Sequence, residues 1–154
     1  MRLSMKSDYA LRALSTLVER FGKQPVSIGD LARRNDIPKR FLEQIMLELK
    51  AGGIVRSVPG RAGGYVLAKP PDQVTIGEVV RGFDGVLAPI HCCSSTHYEA
   101  CSQESDCRFR RFLLEIRNYT ARVMDTTTLA TIFAGEPVAD HEVFSEDLLE
   151  GAGI

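Results

Sequence analysis

No run of apolar residues in this sequence approaches the roughly 18 needed to cross a bilayer. The N-terminal stretch MRLSMKSDYALRAL carries charges throughout and lacks an apolar core ending in small residues. Neither a membrane span nor a signal peptide is expected, and the chain is expected to be cytoplasmic. Histidine is scarce, with three in the chain, and no nucleophile–base pairing stands out, so no catalytic role is expected. No internal repeat is found. Cysteine is absent outside residues 91–107, which hold Cys92, Cys93, Cys101 and Cys107. A Cys-x-x-Cys pair is missing among them, which counts against a zinc knuckle. In a reducing cytosol a disulfide staple is unusual as well.

What is present reads as an ordinary globular protein, 44% hydrophobic and 25% charged. The net charge of −1 conceals a polarity. Residues 1–70 hold 13 Lys and Arg against 6 Asp and Glu, whereas residues 71–154 hold 6 against 14. A basic half beside an acidic one is the electrostatic footprint of a module that binds a polyanion.

Along the chain, Ser4 can cap a helix that stops at Gly22, with Ala10, Leu14, Leu17 and Phe21 on its apolar stripe. Ser27 can cap a short second helix ending near Asn35-Asp36. Pro38 suits the first turn of a third helix that closes at Gly52-Gly53. Leu42, Ile45, Met46 and Leu49 form its buried stripe, while Lys39, Arg40, Glu43, Gln44 and Leu47 face away. Two strands follow, Ile54–Val58 and Tyr65–Ala68, around a Pro-Gly-Arg-Ala-Gly-Gly turn. A short helix is expected around Ile76–Gly82, then a loop containing the cysteines. A long helix is expected from Ser105 or Asp106 to about Met124, striped by Phe109, Phe112, Leu113, Ile116, Tyr119 (or Thr120) and Val123. A short helix in TTTLATIFAG completes it, and residues 136–154 are expected to be a loose acidic tail.

Three helices and a hairpin in this order predict a mostly α fold with a small β-hairpin: a winged helix-turn-helix at 1–82. In that fold the third helix enters the major groove of double-stranded DNA. Lys39, Arg40 and Gln44 lie on its exposed face, where Gln can bond an adenine edge and Arg or Lys reach guanine or phosphate. Arg61 stands at the tip of the wing, in reach of a minor groove. Arg33 and Arg34 are placed for phosphates, and Ser27, at the start of the second helix, is a further candidate DNA-binding residue. The region 108–135 carries an apolar stripe too wide for a solitary helix, so a homodimer joined through it is expected, reading a pseudo-palindromic operator.

The segment 83–107 is the candidate ligand loop. Cys93-x7-Cys101-x5-Cys107 supplies three thiolates for an iron–sulfur cluster, one short of the usual four. Cys92 and Cys93 are adjacent, so their side chains are expected to diverge and one site to use only one of them. His91 and His97 could instead complete a Cys/His zinc set.

The stretches MRLSMKSDYALRAL, IPKRFLEQIMLELKAGGIV, SVPGRAGGYVLAK and TIGEVVRGFDG resemble a family of dimeric winged-helix regulators. That family (Rrf-two type) includes the iron–sulfur-cluster regulator IscR, the nitric-oxide sensor NsrR and the rhizobial iron regulator RirA. The match covers roughly residues 1–135. The resemblance implies that Cys93, Cys101 and Cys107 ligate one cluster per subunit, 4Fe–4S favoured and 2Fe–2S the alternative, and that the cluster controls DNA binding. One branch places a His three residues after its last Cys; here that position is Arg110. Another uses an acidic residue of the partner's first helix, and Asp8 stands there, although Arg12 four residues on offers it an ion pair. Cys92 is a spare thiol or a replacement for Cys93.

The expected function is therefore a homodimeric transcriptional regulator, a repressor, whose operator affinity answers to iron, oxygen or nitric oxide. A thiol- or zinc-switched regulator without a cluster is the alternative, and a small iron–sulfur electron carrier a more distant one.

Overall fold

The computed structural model describes residues 2–143. Helix α1 (Met5–Glu19) starts where Ser4 accepts a hydrogen bond from the Ser7 amide at 3.2 Å, while the Ser4 amide itself donates to Asp84 at 3.0 Å. It ends three residues before Gly22, because the chain turns through Arg20 to Lys23 into the left-handed conformation of Gly22, φ +74°. Phe21 therefore lies beyond the helix and is exposed, not part of the stripe expected from its spacing. Helix α2 (Ile28–Asn35) is capped by Ser27, and α3 (Lys39–Ala51) buries Leu42, Ile45, Met46 and Leu49 as its periodicity predicts.

Strands β1 (Val55–Val58) and β2 (Gly64–Leu67) pair antiparallel, with Val55 opposite Leu67 and Val58 opposite Gly64. A third piece of backbone joins them that no local pattern reveals. Val26 and Tyr65 exchange hydrogen bonds of 3.0 and 2.8 Å, fastening the hairpin to the chain entering α2. Gly64 makes this approach feasible: a Cβ there would overlap the Val26 carbonyl. At the wing tip Gly60 adopts φ +105°, open only to glycine without strain.

Helix α4 (Ile76–Asp84) is capped by Thr75, which accepts from the Glu78 amide at 3.0 Å. The segment to Cys107 is irregular apart from a 3-10 turn at His91–Cys93. Helix α5 (Arg108–Thr126) begins later than the Ser105 or Asp106 start expected from the sequence, because residues 104–106 are still in turns and Cys107 is the N-cap. The chain then doubles back. The Ile76 amide donates to Thr127 at 2.8 Å and the Leu129 amide to Val74 at 2.9 Å, so α6 (Leu129–Ala134) sinks Leu129 into the core. Of the expected tail, residues 144–154 lie outside the described residues, and a helical turn α7 (Asp140–Val143) precedes them.

A single core joins α1, α2, α3, the hairpin, Val74, Val79 and Leu129. Helix α5 contributes no fully buried residue to it. Among the described residues, no helix is long and apolar enough to cross a membrane. Gly64→Ala is expected to destabilise the protein by about 2 kcal/mol or more, because either the wing or Val26 must shift. Gly82→Ala, where a Cβ meets nothing within 4 Å in α4, is expected to gain roughly 0.5–1 kcal/mol. Paired urea melts of the two variants check both signs.

Candidate nucleic-acid interface and cysteine segment

Burial of one face of α3 decides what its other face offers. Lys39, Arg40, Glu43, Gln44 and Leu47 are exposed, and Lys39 lies 3.9 Å from Glu43. Arg40, Gln44 and Leu47 succeed each other at spacings of four and three, so they follow one line along the helix. Arg61 is exposed in the wing turn. Ser27 turns out to be committed locally: its hydroxyl accepts from the Asp30 amide at 3.1 Å and donates to the Asp30 carboxylate at 2.8 Å. That hydroxyl hydrogen bond foremost, with the charges of Arg33 and Arg34, holds the Asp30 carboxyl below the usual range. Arg33 is paired with Asp30, whereas Arg34 is exposed.

The cysteines divide into two kinds. Cys92 and Cys93 are both buried, Cys101 is exposed and Cys107 half-buried, and all four are free thiols. The Cys93 thiol donates to the Arg110 carbonyl at 3.7 Å. Burial first, then the neighbouring Cys93 and Cys101, pushes the Cys92 thiol above its ordinary pKa. The two adjacent side chains are thus buried together beside α5. Among the described residues no three His, Cys, Asp or Glu side chains are placed to hold a metal ion. His91 lies 3.9 Å from Glu99, and His97 is hydrogen-bonded to Thr96 at 3.1 Å. On α1, Asp8 is half-exposed and pairs with Arg12 at 2.8 Å, while Arg12 also lies over the Tyr9 ring.

Residues absent from the sequence-based set hold this segment. Arg110 donates to the Cys92 carbonyl at 3.3 and 3.1 Å and pairs with Glu104. Arg117 donates to the Cys93 carbonyl at 2.8 Å. Tyr98 donates its hydroxyl to Glu104 at 2.7 Å. The available signal was the seven-residue interval between two arginines on one helix, which places them on one face.

The opposite side of α5 is bare. Phe109 is 77% and Tyr119 68% exposed, with Phe112 and Val123 exposed beside them. With Ile116 they follow spacings of three and four, a seam suited to a second helix.

Similarity to known proteins extends over most of the chain. A family model described as "Rrf2: Iron-dependent Transcriptional regulator" matches residues 3–135. An rrf2-like HTH-type regulator of Rhodobacter capsulatus is 40% identical over 144 residues, covering 89% of this chain and 96% of that protein. Among solved structures, CymR, the global cysteine regulator of B. subtilis, superposes with TM-score 0.75 at 29% identity, covering 89% of this chain and 99% of that one. T. potens IscR does so with TM-score 0.68 at 26% identity, covering 94% and 97%.

The Tyr98–Glu104 bond carries a measurable signature. Accepting that bond is the main reason the Glu104 carboxyl lies below its usual range. The same bond, with burial and the Glu104 charge, raises the Tyr98 phenol. Tyr98 is expected to ionise above the ordinary tyrosine range, and Tyr98→Phe to remove that late component from a tyrosinate absorbance titration. The bond's contribution is present above the ordinary Glu pKa and is lost as pH falls through the depressed value.

Proposed function

The chain belongs to the Rrf2 family of transcriptional regulators, and from that premise we propose that it acts as a homodimeric repressor whose operator affinity is set by the state of its cysteine segment. The family is one of regulators, not enzymes, in keeping with the lack of a nucleophile–base pairing. One observation carries the reading. Helix α3 has its apolar stripe sealed in the core and its Lys39, Arg40 and Gln44 side outward, next to a wing with Arg61 at its tip. This supports major-groove reading by α3, phosphate contacts by Arg34 and Arg33, and a minor-groove contact by the wing.

The bare seam of α5 supports dimerisation through that helix. Two such chains related by a two-fold axis present two α3 helices at a fixed separation, which a pseudo-palindromic operator matches. The cysteine segment rests on the same helix, so a change in how it is held alters the platform that spaces the two readers.

The donor set suits an iron–sulfur cluster chemically, being free thiols on an irregular loop, although the described conformation does not bring three of them together. Cys93, Cys101 and Cys107 would hold it, with Cys92 able to replace Cys93 and Asp8 of the partner subunit as a fourth ligand. When bound, a cluster supplies a centre labile to oxygen, nitric oxide and iron shortage. The chain's own part is to present thiols from a loop whose backbone carbonyls are held by α5, with Cys101 exposed and Cys93 bonded to the Arg110 carbonyl.

Phe112→Glu, which places a charge in the seam, is expected to convert the dimer to monomer in sedimentation and to weaken operator binding by at least about tenfold. The function itself is tested with duplex DNA selected from a random pool at one fixed salt concentration. Arg40→Ala is expected to cost about 1–3 kcal/mol and to relax base preference, with Lys39→Ala lowering the salt slope. Protein purified without oxygen is expected to contain iron and sulfide and to bind more tightly than its metal-free form. Equal binding by the two forms overturns cluster control, and a colourless protein whose binding still answers to thiol oxidation favours the thiol switch.

A further inference from the structure

We propose that Arg110 and Arg117 are positioning residues for the cysteine segment: from one face of α5 they grip the carbonyls of Cys92 and Cys93 and so hold these two thiols against the helix. This role rests on the reading of the segment as the responsive element, but its geometry stands without any statement about DNA.

The segment from Val86 to Cys107 has little to anchor it. Among its residues the only buried side chains are those of Cys92 and Cys93, so its packing area is small for an irregular stretch of that length. The 3-10 turn His91–Cys93 closes with the Ser94 amide donating to His91 at 2.9 Å. This leaves the carbonyls of Cys92 and Cys93 at its C-terminal end without partners in the turn, the ordinary state of helix ends. Both are taken by guanidinium groups. Arg110 gives two N–H groups to Cys92 O, at 3.3 and 3.1 Å, and Arg117 gives one to Cys93 O at 2.8 Å. Residues seven apart on a helix are separated by about 10.5 Å along its axis and share a face, so the two long side chains converge on adjacent carbonyls from either end.

The grip is reciprocal, since the Cys93 thiol donates to the backbone carbonyl of Arg110 itself at 3.7 Å. It also extends beyond the turn. Glu104 pairs with Arg110, accepts the Tyr98 hydroxyl at 2.7 Å and lies 3.5 Å from the Cys101 amide nitrogen. Arg110 therefore links the buried pair Cys92-Cys93 to the stretch bearing exposed Cys101. A lysine is a poor substitute, because its single nitrogen lacks the rigid fork that places two N–H groups on Cys92 O while pairing with Glu104.

The arginine bonds go to backbone carbonyls, so they order the cysteine segment without occupying its sulfur atoms. The consequence is a graded thiol reactivity. A buried thiol reacts only when its segment opens, at a rate proportional to the open population.

The test uses full-length, reduced, metal-free protein and iodoacetamide, with each cysteine's alkylation rate followed by peptide mass spectrometry. In the unaltered protein Cys101 is expected to react first and Cys92 and Cys93 last. In Arg110→Ala and Arg117→Ala the Cys92 and Cys93 rates are expected to rise about tenfold, while Cys107, at the N-cap of α5, keeps its rate. Arg110→Lys is expected to resemble Arg110→Ala. Glu104→Gln, which spares both arginines, is expected to give a smaller rise at Cys92. Rates at Cys92 and Cys93 unchanged in both alanine variants overturn the proposal, as does full protection in Arg110→Lys. A parallel rise at Cys107 overturns it too, because that marks general loosening of α5. No DNA or metal enters the assay, so failure of the regulator reading leaves the alkylation pattern, and what it says of the two arginines, unchanged.

Discussion

Helix α1 packs against α2, α3, α4, α6 and β2, and it can do so because the side chains it turns inward are small. Ser7, Ala10 and Ala13 are fully buried, and Leu14 and Leu17 are buried with them. Small residues let several elements approach one axis closely, and close-packed interiors leave no slack to redistribute. The positions of α3 and of the hairpin are consequences of this arrangement. Helix α3 rests its stripe on α1 and α2, and Tyr65 reaches from β2 to the same core. The outward line Arg40–Gln44–Leu47 is aimed by contacts made on the other side of the helix.

The second half of the chain obeys a different constraint. Helix α5 is amphipathic on two sides and finds cover on neither completely. Near its C-terminal end Asp125 pairs with Arg81 of α4, and Ala121 and Met124 line one small cavity with Val80. Near its N-terminal end the neighbour is the cysteine segment, joined through charged hydrogen bonds rather than apolar area. Charge-assisted bonds to backbone carbonyls specify position and break locally, without the cost of opening a core. A segment held in this way can change state while the winged domain stays folded, and that division of labour suits a regulator.

Arg110 shows how a departure from a family pattern acquires meaning from structure. Judged by sequence, it marks a missing histidine ligand. In three dimensions it serves the neighbouring cysteine's carbonyl and Glu104 together. Asp8 illustrates the opposite limit: its ion pair with Arg12 is a local i,i+4 contact that sequence spacing already offers, and a role toward a second chain leaves no trace within one.

The helices, the hairpin and the exposed face of α3 were legible from the sequence because they rest on local periodicity, capping at Ser4 and Ser27, and glycine at the turns. Helix ends were read less well at Gly22 and Ser105, where a turn's hydrogen bonds, not composition, set the boundary. The confinement of all four cysteines to residues 91–107 singled that stretch out as a candidate segment. Tertiary structure alone decided that Val26 pairs with Tyr65, that Leu129 returns to the core, and that Cys92 and Cys93 are buried together beneath two arginines. Each of these joins residues far apart in the chain, and the energy that selects among such contacts comes from packing and desolvation that no short window of sequence contains.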